Sequence, residues 1–241
     1  METEADNRPR RVLVIVPAYN EASCIASVLA DLRAGAPWAD VVVVDDGSTD
    51  TTAETARSAG AAVLSLATNL GVGGAVQTGY MYAHAGGYDA AVQFDGDGQH
   101  RSERIADLLK PVWDGADVVV GSRLLGRRSY RFSLARWLGS RMLAAMVSLM
   151  VGRRITDPTS GFRAASRKAI GFFARHYPQS YLADTTESLV WAARHGMDVR
   201  EVPTRMRMPD HSSINNLKGL LHTLRMLLAV AIDRMEKPFE D

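Results

Sequence analysis

Asp95-Gly96-Asp97 places two carboxylates one residue apart in a tight turn, and such a pair can direct its hard oxygens at a single divalent cation. The turn follows the apolar run Ala90 to Phe94, where a buried strand would end, and a cation held there could bridge to phosphate oxygens. A calcium loop of the EF-hand type is excluded. Its fifth and sixth positions would be Gln99 and His100 instead of Asp or Asn and Gly, and its twelfth would be Ala106 instead of Glu. The ordinary alternative is a surface turn, since Asp and Gly are common turn formers. A second acidic turn, Asp45-Asp46-Gly47-Ser48-Thr49-Asp50, follows another apolar run, and a carboxylate there can accept hydrogen bonds from a ribose hydroxyl or a base N–H. Helix capping competes with that use, and both hold together if Asp50 caps while Asp46 binds.

Other patterns narrow the chemistry. The glycines of Asn69-Leu-Gly-Val-Gly-Gly do not fit a dinucleotide fingerprint, because position 76 is valine and the motif does not follow the first strand. They are read as allowing close packing of backbone and helix. No Walker A sequence and no nucleophile elbow is present, so ATPase and serine-hydrolase chemistry lose their support. From Val118 to Thr156 there is no acidic residue, while Arg123, Arg127, Arg128, Arg131, Arg136, Arg141, Arg153 and Arg154 all fall inside. These guanidinium groups make an anion-attracting region suited to diphosphate, phospholipid or polyprenyl phosphate. It lacks the interleaved aromatics of a single-strand nucleic-acid platform, and no nucleic acid is expected. Asp157-Pro158-Thr159 has the form of a helix start, and Asp184-Thr-Thr-Glu187 that of a capping box. The histidines show no metal-ligand spacing, and the single cysteine, Cys24, can form no intrachain disulfide.

The elements that must position these residues follow from hydrophobic patterning. Val12 to Val16, Val41 to Val44, Ala62 to Leu66, Ala90 to Phe94 and Val118 to Val120 are short apolar runs, as expected of strands buried on both faces. Helical segments at 22–33, 51–59, 74–85 and 102–113 alternate with them, which predicts an α/β, open, mostly parallel sheet flanked by helices. Ligands of such sheets bind at the carboxyl ends of the strands, where PAYNE, DDGSTD, TNLGVGG, DGDGQH and GSR fall here. Beyond Arg123 the alternation stops, and two longer helices are expected near 133–151 and 185–195. The apolar positions Leu217, Leu220, Leu221, Leu224, Leu227, Leu228 and Ile232 predict a C-terminal amphipathic helix within 214–241. Residues 1–10 are read as a disordered lead-in without the apolar core of a secretory signal. With 241 residues, 46% apolar content and net charge +1, the chain can bury a sizeable core and has no whole-chain attraction for nucleic acid. No apolar run is long enough to span a membrane, so a cytoplasmic protein, at most peripheral on a membrane, is expected.

Taken together, PAYNE, VVDDGSTD, DGDGQH, GSR and DPTSGFR resemble glycosyltransferase family 2, especially its dolichyl-phosphate mannose synthase and polyprenyl-phosphate glycosyltransferase branch, over about residues 11–211. The resemblance implies a GT-A fold over 11–213. Pro17, Tyr19, Glu21 and Asp46, with Asp45 a lesser candidate, are then nucleotide contacts, and Asp95, Asp97 and Gln99 the site of Mg²⁺ or Mn²⁺. Arg123 and Arg207 are the family's arginines that approach donor or acceptor phosphates; the stretch after Arg207, usually Gly-rich, reads His211-Ser212-Ser213 here. The implied reaction is an inverting transfer from a nucleotide-diphosphate sugar, of the GDP-mannose or UDP-glucose type, to a polyprenyl phosphate. A lipid phosphate needs no strong general base, whereas a soluble, glycan or natural-product hydroxyl would need one, with Asp157 or Glu187 as candidates. A membrane surface or membrane partner is a further expectation. The alternatives of another class are a nucleotidyltransferase and a non-catalytic nucleotide-sugar-binding subunit.

Overall fold

The computed structural model describes residues 10–125, 134–178 and 184–207. The lead-in up to Pro9, the arginines at 127, 128 and 131, the 211–213 stretch and the C-terminal helix expected within 214–241 lie outside the described residues.

All five expected strands form: β1 (Val12–Ala18), β2 (Asp40–Asp45), β3 (Ala62–Ser65), β4 (Ala90–Gln93) and β5 (Val118–Ser122). The helices between them are α1 (Ile25–Gly35), α2 (Thr52–Ser58), α3 (Gly71–Ala85) and α4 (Ile105–Trp113), the last preceded by a 3-10 turn at Ser102–Arg104. Beyond β5, α5 (Leu134–Val151) and α7 (Asp184–Arg194) match the two expected helices. Three elements were not foreseen: β6 (Arg163–Ser166), α6 (Arg167–Arg175) and β7 (Val199–Pro203).

The seven strands lie in the order β3-β2-β1-β4-β6-β5-β7. Six share one direction. β6 alone is antiparallel, wedged between β4 (Ala91 opposite Ala165) and β5 (Val119 opposite Ala164), while β7 closes the edge parallel to β5. Successive residues of a strand face opposite sides of the sheet, so Leu13 and Ile15 pack with Tyr80, Leu143, Ile170 and Leu189 under α3, α5, α6 and α7. Val12, Val14 and Val16 pack with Leu29, Leu32 and Leu108 under α1, α2 and α4. This double burial is why the strands read as continuous apolar runs.

The helix start expected at Asp157 is not formed. Residues 156–162 run as a turn leading into β6, and Asp157 has a partner elsewhere. The helix that follows begins instead after Ser166, whose side chain caps it by accepting from the Ala169 N–H at 3.3 Å.

Candidate active site

A cleft of about 400 Å³ opens at the carboxyl ends of β1, β2 and β4. Pro17, Tyr19, Glu21, Asp46, Asp95 and Asp97 line it, so six of the residues singled out in the sequence converge there. Besides Ala18 at the end of β1 and Gly96 between the two aspartates, its wall takes Asn69 from the loop before α3 and Gly71, Val72 and Ala75 from the start of that helix, whose glycines are read from the sequence as serving packing alone.

Two turns, those after β1 and β2, are stitched together at the mouth of the cleft. Asn20 sits at φ 56°, in the left-handed region that Asn tolerates better than most residues. There its N–H donates to Ser48 Oγ at 3.0 Å and its side-chain oxygen accepts from the Thr49 N–H at 2.9 Å. The residue at the N-cap of α2 is Thr51 and not Asp50, but Asp50, one position earlier, accepts from the Thr52 N–H at 2.9 Å and so satisfies a free donor there. Asp45 is buried and accepts from the Ser48 N–H at 3.2 Å; it shapes its own turn and is not part of the cleft wall. Asp46 lies at the wall and accepts from the Leu70 N–H at 2.7 Å. Burial raises its pKa above the ordinary carboxylate range, against the pull of the Leu70 and Gly71 N–H groups.

The acidic turn after β4 adds two more carboxylates to the cleft wall. Asp95 accepts from the His100 ring at 2.9 Å, and that ring is buried between Phe94 and Phe162. Burial alone would raise the Asp95 pKa, but the His100 hydrogen bond and charge, with smaller help from Gln93 and Arg123, leave it lowered. Gly161 lets the neighbouring loop approach, because a Cβ there would stand 2.6 Å from Asp95 Oδ2. Asp97 accepts from the Gln99 N–H at 2.9 Å and from Gln99 Nε2 at 2.7 Å. Its pKa is raised by burial and by the Asp95 charge, and that of Glu21 by burial and then by Asp97 and Asp50. The cleft therefore crowds negative charge that a cation would relieve.

Gln99 was read as a ligand beside the two aspartates. Its amide nitrogen is turned onto Asp97 and it is not part of the cleft wall, so it supports Asp97 in this structure. Among the described residues no group of three or more His, Cys, Asp or Glu side chains could hold a metal alone. Asp95 and Asp97 offer two hard oxygen donors, which suits a cation that completes its shell with phosphate and water oxygens.

Arg123 binds Asp157 through Nε at 2.7 Å, Nη2 at 2.7 Å and its backbone N–H at 3.0 Å, and Thr159 Oγ1 through Nη2 at 2.9 Å. Asp157 is 2% exposed. Burial would raise its pKa, but Arg123 holds it below the usual range, so the geometry makes Asp157 an anchor for Arg123 instead of a base. Behind it, Glu201 of β7 accepts from the N–H groups of Thr156 and Asp157 at 2.8 to 3.0 Å. Arg163 of β6, fully buried, donates to the carbonyls of Pro158, Ser160 and Thr185 and ties this loop to α7. Glu187, the other candidate base, is buried in α7 and does not line the cleft. Asp184, also buried, belongs to the first turn of α7 and has Oδ2 without a partner. Arg207 also stands outside the cleft wall: it grips the underside of the acidic turn. Sequence reading missed His100, Glu201 and Arg163; only His100, inside the same post-strand loop, gave a signal.

An α/β sheet with an acidic, glycine-containing turn beside a basic anchor at its carboxyl edge suits a metal-bridged phosphorylated ligand. The sequence model described as glycosyl transferase family 2 matches residues 13–172, and the chain belongs to that family. It is 31% identical over 211 residues to polyprenol monophosphomannose synthase of Mycolicibacterium smegmatis, covering 84% of this chain and 80% of that one. It is 29% identical over 220 residues to UDP-N-acetylglucosamine–dolichyl-phosphate N-acetylglucosaminyltransferase of Methanococcus voltae, covering 83% and 87%. Glucosyl-3-phosphoglycerate synthase of Mycobacterium tuberculosis shares the fold, with TM-score 0.71 and 23% identity over 96% of this chain and 80% of that one.

Proposed function

We propose that this glycosyltransferase moves a hexose from a nucleotide-diphosphate sugar to a polyprenyl phosphate met at a membrane surface. The nucleotide lies along Pro17, Tyr19, Glu21 and Asp46. Asp95 and Asp97 would hold Mg²⁺ or Mn²⁺, which when bound supplies positive charge against the departing diphosphate. The Mycobacterium tuberculosis synthase has been solved with Mn²⁺ and UDP. Arg123, fixed by Asp157 and close enough to lower the Asp95 pKa, adds a preorganised positive charge on the same side. The acceptor oxygen attacks the anomeric carbon in line with the leaving phosphate, and the product is inverted.

The observation that carries the lipid-phosphate acceptor is the state of Asp157. One of the two candidate bases is locked onto a guanidinium with its pKa lowered, an arrangement poor at taking a proton. A phosphate acceptor is already ionised near neutral pH and needs none. The Mycolicibacterium smegmatis and Methanococcus voltae relatives, by name, act on polyprenol and dolichyl phosphate.

Purified protein with Mg²⁺ or Mn²⁺, a panel of UDP-, GDP- and dTDP-sugars, and a short polyprenyl phosphate beside a set of hydroxyl acceptors tests this by mass spectrometry. A glycosyl-lipid product is expected. Donor hydrolysis with transfer only to a hydroxyl compound would sink the lipid acceptor and keep the transferase.

A further inference from the structure

We propose that Asp31 and Arg207 are positioning residues that hold the acidic turn in register for its metal, an inference that rests on Asp95 and Asp97 being the metal carboxylates. Arg207 lies on the strap that leaves β7, whose Thr204 N–H donates to the Ser122 carbonyl at the end of β5. The strap then crosses to the loop after β4, where the Arg207 N–H donates to the Gln99 carbonyl at 2.8 Å. From there the guanidinium reaches three ways. Nη1 stands 3.3 Å from the Gly98 carbonyl and 3.4 Å from that of His100, and Nη2 binds Asp31 Oδ1 on α1. Asp31 fixes the other side of the loop as well: Oδ2 accepts from the Ser102 N–H at 3.2 Å, and its carbonyl accepts from Ser102 Oγ at 2.8 Å.

The line of force is short. Asp31 holds Arg207, Arg207 holds the carbonyl of Gln99, and Gln99 holds both oxygens of Asp97. The turn has reason for such an anchor because Gly98, at φ 74°, is the residue type with the most backbone freedom to lose on being fixed. Each guanidinium contact in this set falls on a backbone carbonyl or on Asp31, and Arg207 does not line the cleft, so in this geometry it acts through the turn instead of on a phosphate. Partners that orient a metal-binding side chain commonly change metal affinity by about 10 to 100-fold when removed.

The test is Mn²⁺ titrated into the full chain with UDP or with GDP, followed by the electron paramagnetic resonance signal of free Mn²⁺, with thermal melting alongside. D31N and R207M should each weaken Mn²⁺ binding by about tenfold. The double variant should lose less than the product of the two single losses, since both break the Asp31–Arg207 contact, and excess Mn²⁺ should restore turnover in all three. The surface variant K110A, which breaks the Lys110–Asp107 pair, should keep wild-type affinity. Wild-type Mn²⁺ affinity in D31N or R207M overturns the clamp, as does lost turnover in R207M that excess Mn²⁺ does not restore. An equal loss in K110A overturns it too, by showing a general effect of surface charge. If the wild-type chain binds no Mn²⁺ with either nucleotide, the metal reading of Asp95 and Asp97 falls, and the clamp with it.

Discussion

Asp97 is held by two hydrogen bonds from Gln99 and still has a raised pKa, because burial and the neighbouring Asp95 charge outweigh them. Its negative charge is thus costly in the free protein and would be compensated by a cation joining the pair. D97N keeps the shape and removes that charge. Turnover should drop by about 10²- to 10³-fold, equivalent to the several kcal/mol a metal supplies to a developing charge, while unfolding free energy moves by less than about 1 kcal/mol. Steady-state kinetics with a urea melt checks this; undiminished turnover would remove Asp97 from the metal site. At this scale the sequence was informative wherever a residue directly follows a strand, because strand ends meet at one edge. Asp46, Asp95 and Asp97 are placed by that rule alone. The partner of a long side chain obeys no such rule. Asp157 meets Arg123 across 34 positions and Arg207 meets Asp31 across 176, so their anchoring roles emerge only from the packed chain.

Among the elements, the first half of the sheet was legible because its strands are buried on both faces and its helices are long enough to show a stripe. β6 is four residues with a buried arginine, and β7 sets Arg200 and Glu201 side by side between Val199 and Val202; neither makes a continuous apolar run. Yet these two strands bring Arg163 and Glu201 under the loop that carries Asp157. The docking of α7 on α3 has its own cost. Asp184 packs against Gly73, where an added Cβ would lie 3.3 Å from the Asp184 Cβ, and its pKa is raised to about 6, chiefly by burial. A carboxyl with a higher pKa folded than unfolded favours the folded state while protonated. That stability is fully present below the unfolded value near 3.8 and is lost as pH rises through about 6. D184N should therefore match wild type near pH 3.5 and be more stable at pH 8 by up to about 3 kcal/mol. Urea melts at the two pH values measure the difference. Equal stability at pH 8 would mean that Arg163 neutralises the Asp184 charge in full.

For the whole molecule, a net charge of +1 gives no reason to approach an anionic surface, so any such approach must come from local asymmetry. Among the described residues, α5 exposes Leu138, Met142 and Leu149 along one face, and the exposed Arg153 and Arg154 follow its end. No helix among the described residues is long and apolar enough to cross a membrane. The sequence adds Leu217, Leu220, Leu221, Leu224, Leu227 and Leu228 at helical spacing, with Lys218, Arg225 and Arg234 between and beyond them. An apolar stripe bordered by cations is the pattern of a helix lying in the headgroup zone, where each basic residue adds about 1 kcal/mol on an anionic leaflet. The full chain should therefore sediment with vesicles containing anionic lipid, less so as salt is raised, and poorly with zwitterionic vesicles. A chain ending at Ser213 should bind anionic vesicles at least about tenfold more weakly, since the apolar stripe leaves together with Lys218, Arg225, Arg234 and Lys237. Undiminished binding of the shortened chain would place the contact on α5 and leave the tail to pack elsewhere. If neither chain binds, a lipid acceptor would have to be presented by a membrane partner, and transfer to polyprenyl phosphate should then require that partner.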